Sequence, residues 1–195
     1  MIAIVDYGAG NIISVKKALE HLHADAQVTS DPAVIAAAEK LIVPGVGHFI
    51  RCQSLNANLR APVLEAIANG KPFLGICVGM QWLFAGSTEA PETPGAALFA
   101  EECSRFPASV KSPHVGWNQI DVKNGSRLLK GVSNNAFVYY THSFRAPVVA
   151  ETIACTSYGG AFSAAVERDN IFGVQFHPEK SAETGLKILE NFCAL

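Results

Sequence analysis

Cys77 stands in Gly75-Ile76-Cys77-Val78-Gly79-Met80, directly after the apolar pair Phe73-Leu74. A strand that turns sharply into a helix exposes the residue at the turn. Small residues two positions to either side let such a turn close, and Gly75 and Gly79 hold those positions. The amides of a helix starting after Cys77 point at the sulfur, favour thiolate over thiol, and make it nucleophilic near neutral pH. Far downstream, Gly173-Val174-Gln175-Phe176-His177-Pro178-Glu179-Lys180 supplies an imidazole and a carboxylate. A thiolate that attacks a carboxamide needs a proton donor for the leaving amine. Imidazole is the side chain that changes charge near neutral pH without a large shift. Residues i and i+2 of an extended segment share a face, so Glu179 can reach the His177 ring, fix its tautomer and stabilise the imidazolium. Together the two segments describe a cysteine hydrolase. Each also has a plainer reading. A free cysteine is usually a small buried core residue, which suits Cys52, Cys103, Cys155 and Cys193. A His-Pro-Glu sequence alone is a surface turn. The flanking glycines and the pairing of the two segments favour chemistry.

An oxyanion formed on the substrate needs backbone N–H donors. The Val78 amide, next after the nucleophile, is one. The other comes from the loop Pro44-Gly45-Val46-Gly47, where glycines permit positive φ and peptide reorientation. A plain strand-ending turn is the alternative for that loop. His21 and His23 end the first helix and read as solvated. His48 and His142 lie near the proposed site without a role. His114, in Pro113-His114-Val115-Gly116-Trp117-Asn118, falls in a loop that mixes a large aromatic with polar residues. It reads either as ordinary packing or as a partner-facing surface.

These groups must be positioned by strands and helices. Ile2–Val5, Leu41–Val43 and Phe73–Ile76 are continuous apolar runs of strand length, each ending in a glycine-containing loop, as parallel strands covered on both faces read. Between the first two, Ile12, Val15, Leu19 and Leu22 fall at helical spacing, with Asn11 as cap. Leu59, Val63, Leu64 and Ile67 do the same before the third, and Asn69-Gly70 supplies the stop. This alternation predicts an α/β fold: a doubly wound, largely parallel central sheet with helices on both faces. The second half predicts short strands at Ile120–Val122, Ala136–Tyr140, Thr152–Cys155, Ala164–Glu167 and Ile171–Gln175. Turns such as Asn124-Gly125 and Gly159-Gly160 separate them, and antiparallel pairing adds them to the sheet. A last helix runs from about Ala182 to Phe192, with Leu186, Leu189 and Cys193 on one face.

The chain has 195 residues, 49% hydrophobic and 16% charged, enough for one sizeable core and a single domain over 1–195. The net charge is −2 with no Lys/Arg block, which gives no footprint for nucleic acid or an anionic membrane. No apolar run is long enough to span a bilayer. Met1–Asp6 lacks the basic region of a secretory signal and reads as a buried strand. Five cysteines at irregular spacing, with no Cys-x-x-Cys pair, point to no metal, no cofactor and a reduced, cytoplasmic setting.

Taken in order along nearly the whole chain, these blocks resemble class I (triad-type) glutamine amidotransferases. Within them the resemblance is to the glutaminase subunits of imidazole glycerol phosphate synthases. It rests on Asp6–Asn11, Pro44–Gly47, Gly75–Gln81, Pro113–Asn118, Tyr140–Ser143 and Gly173–Ser181. It implies that Cys77 attacks the side-chain amide of glutamine. His177 protonates departing ammonia and then activates water against a thioester, and Glu179 orients His177. Gly45 or Val46, with Val78, holds the oxyanion, and Gly47, Gln81 and Ser143 hold substrate. It implies a heterodimer with a (β/α)8 barrel synthase subunit that uses the ammonia in histidine synthesis, with Trp117, Asn118 and Tyr140 at the seam. Val46 stands where most relatives have glycine, Val78 where Leu is usual and Val115 where Met is common. Two stretches, Ala96–Phe99 and His48–Leu59, depart from the family pattern and leave a substrate contact near Glu89 open. The alternatives are the glutaminase of another amidotransferase, a related cysteine hydrolase, or a glutaminase-like subunit that only binds and regulates.

Overall fold

The structure, a computed structural model, describes residues 1–123 and 125–195. Asn124, half of the expected Asn124-Gly125 turn, lies outside the described residues.

The first half of the chain winds β1 (Ile2–Val5), α1 (Ile12–His21), β2 (Ala26–Thr29), α2 (Pro32–Ala37), β3 (Lys40–Gly45), α3 (Cys52–Asn58), α4 (Arg60–Ala68), β4 (Phe73–Cys77) and α5 (Val78–Gln81). The second half adds β5 (Gly86–Ser87), β6 (Glu102–Arg105), β7 (His114–Gln119), β8 (Asp121–Val122), β9 (Phe137–His142), β10 (Phe144–Arg145), β11 (Thr152–Ser157), β12 (Ala161–Arg168), β13 (Ile171–Val174) and α6 (Ala182–Ala194). The continuous apolar runs become the central strands: every residue of β1, β4 and β13 is buried. The eight-stranded sheet has the order β2-β1-β3-β4-β13-β12-β11-β8. From β1 the chain steps outward to β2 and then back past β1 to β3. Right-handed crossovers in opposite directions put their helices on opposite faces of the sheet. Hence α1 packs with α6 on one side, and α2 with α4 on the other.

One placement decides the function. β13 was expected among antiparallel additions, yet it lies parallel to β4, with Gly173 opposite Gly75 and Val174 opposite Ile76. Only β12, β11 and β8 beyond it are antiparallel. A strand buried on both faces and free of polar residues belongs inside the sheet rather than at its margin. The result is that the carboxyl ends of β4 and β13 sit side by side, and Cys77 and His177 follow from them. On the other flank of β4, β3 runs past Leu41–Val43 to Gly45, which lies opposite Cys77.

Three local expectations are corrected. The Pro113–Asn118 loop is mostly strand: β7 pairs with β9 as a separate antiparallel ribbon, from His114 opposite His142 to Gln119 opposite Phe137. Its mixture of polar and aromatic residues is the alternation of a ribbon covered on one face. Asn11 occupies the cap position of α1 but makes no capping bond. The buried stripe of α6 is Gly185, Ile188, Leu189 and Phe192, with Leu186 and Cys193 at its margins.

Candidate active site

At Cys77 the backbone leaves the ordinary regions, with φ 54° and ψ −107°. An L residue held there is strained, and the surrounding structure must impose it. The flanking glycines show how. A Cβ on Gly75 would lie 2.5 Å from the Gly79 oxygen, and one on Gly79 would lie 1.9 Å from the Val43 oxygen. The turn therefore closes against β3 and β4 only without side chains at both positions. The expected helix is a single four-residue turn, too short to bring a long helix dipole to the sulfur. The other thiols are poor nucleophiles. Burial pushes Cys52 up to about 12 and raises Cys103, Cys155 and Cys193 as well.

His177 is held by β9. Its amide donates to the Tyr139 carbonyl at 2.9 Å, and the Ser181 hydroxyl donates to the His177 carbonyl at 2.6 Å. The His177 and Glu179 side chains are only 1% and 0% exposed. Nδ1 lies 2.9 Å from Glu179 Oε1. The link is made across a 3-10 turn at Pro178–Lys180, not along an extended segment. Asn11 Nδ2 donates to the same Oε1 at 3.2 Å. A carboxylate can only accept, so Nδ1 carries a proton and Nε2 is the nitrogen left free of Glu179. Nε2 is buried and has no hydrogen-bond partner among the described residues. Burial alone lowers the proton affinity of this ring. The negative charge of the Cys77 sulfur, and then Glu179, outweigh that and push His177 up to about 10.

Beside Cys77 opens a cleft of about 210 Å³ whose walls include Gly47, Val78, Gln81, Glu89 and Ser143. Val78 supplies the first amide of α5, which has no partner inside the helix. Gly45 is opposite Cys77 in the sheet, and Gly47 has φ +96°, so the Gly45–Gly47 loop borders the nucleophile. Gln81 Nε2 spends its hydrogens on protein: Phe144 O at 2.8 Å and Gln175 Oε1 at 3.1 Å. Glu89, left open from sequence, is on the cleft wall and accepts from the Phe49 amide at 2.8 Å. A larger cleft of about 670 Å³ lies along Asp6, Ile13, Lys16 and Glu20, and it contains no nucleophile. Among the described residues no three His, Cys, Asp or Glu side chains are placed to hold a metal.

Of the residues expected at a partner seam, Trp117 is 52% exposed and Asn118 half-buried. Tyr140 is not available to a partner. It is fully buried, with its hydroxyl 2.6 Å from Thr156 Oγ1. The two-residue period of β9 turns Val138, Tyr140 and His142 inward and leaves Tyr139 outside, against Trp117. Asn11 and Gln175 are the functional neighbours that residue-level reading missed. Asn11 carried a signal for capping only, and Gln175 read as one more strand position.

A family profile described as "Glutamine amidotransferase class-I" matches residues 3–195. The subunit HisH of imidazole glycerol phosphate synthase from Methanothermobacter thermautotrophicus is 46% identical over 193 residues, covering 98% of this chain and 97% of that protein. The same-named subunit from Thermococcus kodakarensis is 44% identical, with 98% of each chain covered. Among solved structures, one titled as a glutamine amidotransferase superposes with a TM-score of 0.78 over 100% of both chains at 17% identity. PurLQS from Thermotoga maritima gives 0.76 over 98% of this chain and 96% of that one, at 19% identity. At those identities the two structures speak to the fold alone.

Proposed function

Because the chain belongs to the class-I glutamine amidotransferase family, we propose that it is the glutaminase subunit of an imidazole glycerol phosphate synthase. It hydrolyses glutamine to glutamate and ammonia, and it passes the ammonia to a (β/α)8 barrel synthase subunit in histidine biosynthesis. The observation that carries the chemistry is the setting of His177: buried, held at Nδ1 by Glu179, and next to the Cys77 sulfur, which with Glu179 raises its proton affinity.

The reaction follows from that arrangement. The Cys77 sulfur adds to the side-chain carbonyl carbon of glutamine. The oxyanion so formed is held by the Val78 amide and by the peptide at Gly45–Val46. His177 Nε2 gives its proton to the amide nitrogen, the C–N bond breaks, and ammonia leaves a γ-glutamyl thioester. The neutral Nε2 then takes a proton from water as that water adds to the thioester. The C–S bond breaks, glutamate departs, and the thiolate and imidazolium return. Glu179 keeps its bond to Nδ1 throughout, and Asn11 holds the shared carboxylate oxygen. Gly47 and Ser143 contact the substrate, and the exposed Trp117 ribbon faces the synthase subunit. The pathway places the pair in the cytoplasm.

Val46 makes the subunit dependent on its partner. A β-branched residue resists the peptide turn that aims an amide at the oxyanion. The free subunit is therefore nearly idle, and the liganded synthase selects the turned peptide. Glutaminase turnover measured with and without the liganded barrel subunit tests this. A large rise on complex formation is expected, and equal rates would overturn it.

A further inference from the structure

Two histidines of no assigned role, His114 and His142, form a hydrogen-bonded pair inside the β7–β9 ribbon. His114 Nδ1 is 3.1 Å from His142 Nε2. His142 Nδ1 is 2.9 Å from the Phe144 carbonyl. Asn118 Nδ2 is 3.3 Å from His114 Nε2. The direction of every bond can be worked out from either end. The Phe144 carbonyl can only accept, so His142 carries its proton on Nδ1 and offers a lone pair at Nε2. His114 must then donate from Nδ1 and accept at Nε2. At the other end, Asn118 Oδ1 accepts from the Gln119 amide at 2.8 Å, which turns its Nδ2 to His114 and demands a lone pair there. The two ends give the same answer. The His114 ring is held flat between Tyr140 and Tyr158, with centroids 4.8 and 4.1 Å away.

A second arm leaves the same carbonyl. Gln81 Nε2 donates to Phe144 O at 2.8 Å and to Gln175 Oε1 at 3.1 Å. With its oxygen committed, Gln175 must point its nitrogen the other way, where it lies 3.6 Å from Cys77 Sγ. Gln175 is fully buried and has no freedom to turn. We propose that Gln175 is a positioning residue for the nucleophile, its N–H aimed at the Cys77 sulfur because Gln81 holds its oxygen, with Gln81 in turn anchored on the Phe144 carbonyl that the Asn118–His114–His142 arm also donates to. The proposal rests on Cys77 being the nucleophile. The donor steadies one side-chain rotamer and favours the charged sulfur. The histidine pair fixes the carbonyl on which both arms meet.

The test needs no substrate. Cys77 of the full chain is alkylated with iodoacetamide and the site followed by mass spectrometry. Removing a hydrogen bond to a charged group corresponds to about a tenfold loss or more, so Gln175→Met should slow alkylation by about that factor. Gln175→Glu, which turns an acceptor to the sulfur, should slow it further. Should the buried charge prevent folding, the methionine variant carries the test alone. His114→Phe keeps the stacked ring but removes its bond to His142. Imidazole ¹⁵N spectra should show the Nδ1–H tautomer of both rings in the native chain, with His142 keeping it in the variant through the Phe144 carbonyl while its Nε2 resonance shifts on losing the His114 donor. Alkylation, and kcat in the complex, should fall together while KM for glutamine holds. If the His142 Nε2 resonance shifts and alkylation does not change, or if Gln175→Met alkylates at the native rate, the proposal is wrong. Native alkylation kinetics as expected with no glutaminase activity in the complex would instead overturn the functional reading alone.

Discussion

Acidification from pH 8 to 5 should destabilise this protein through His114 and His142. Burial holds His142 down at about 3 and His114 down at about 4, while in the unfolded chain each titrates near 6.5. Between those values the unfolded chain binds a proton at each site that the folded chain refuses. Stability is therefore complete above about 6.5 and is lost as the pH falls. By pH 5 the loss is about 2 kcal/mol for each histidine, or about 4 kcal/mol for the pair. In a domain of this size that lowers Tm by about 10 °C. The window from 6.5 to 5 isolates the effect. His177, raised to about 10, stays protonated in the folded chain there, and its own contribution, present below about 6.5, is lost as pH rises from 6.5 toward 10. The assay is thermal unfolding across this range for the native chain and for a His114→Phe/His142→Phe double variant. The native curve should be steep and the variant curve nearly flat. Equal slopes, or an imidazole resonance of either ring titrating near 6.5, would refute the reasoning.

Other outcomes follow from single contacts. Gly79→Ala forces a Cβ to 1.9 Å from the Val43 oxygen, so the elbow cannot form and Cys77 alkylation should disappear even from folded material. Asn11→Leu removes one donor from the buried Glu179 carboxylate; kcat for glutamine should fall about tenfold with KM little changed, the scale of a lost hydrogen bond to a charge. Glu179→Gln keeps an acceptor for His177 Nδ1 but removes a charge that raises the ring, so the alkaline limit of kcat/KM should move to lower pH.

The sequence made the elbow legible because strain, glycine and sulfur all fall within five residues. The parallel strands were legible because burial on both faces leaves unbroken apolar runs, as in β1 and β4. What it did not show is which strands become neighbours. Nothing local in Ile171–Val174 says that it pairs with β4 rather than closing an antiparallel meander, and yet that pairing brings His177 to Cys77. The ribbon was misread for a related reason. His114 and Trp117 look like loop composition until β9 supplies the partner that separates inward from outward residues, which also removes Tyr140 from the surface. Asn11 shows the limit of local rules. Its side-chain oxygen makes no capping bond, and its Nδ2 donates to a carboxylate brought from the far end of the chain.

The claim under all of this is that one cysteine thiol among five attacks glutamine. The direct measurement is covalent labelling of the full chain, with its barrel partner, by a glutamine-mimicking electrophile, read by peptide mass spectrometry. The expected result is one adduct, on Cys77, suppressed by glutamine and absent in His177→Asn. Labelling spread over Cys155 and Cys193, or an adduct on Cys77 that glutamine does not suppress, would contradict it.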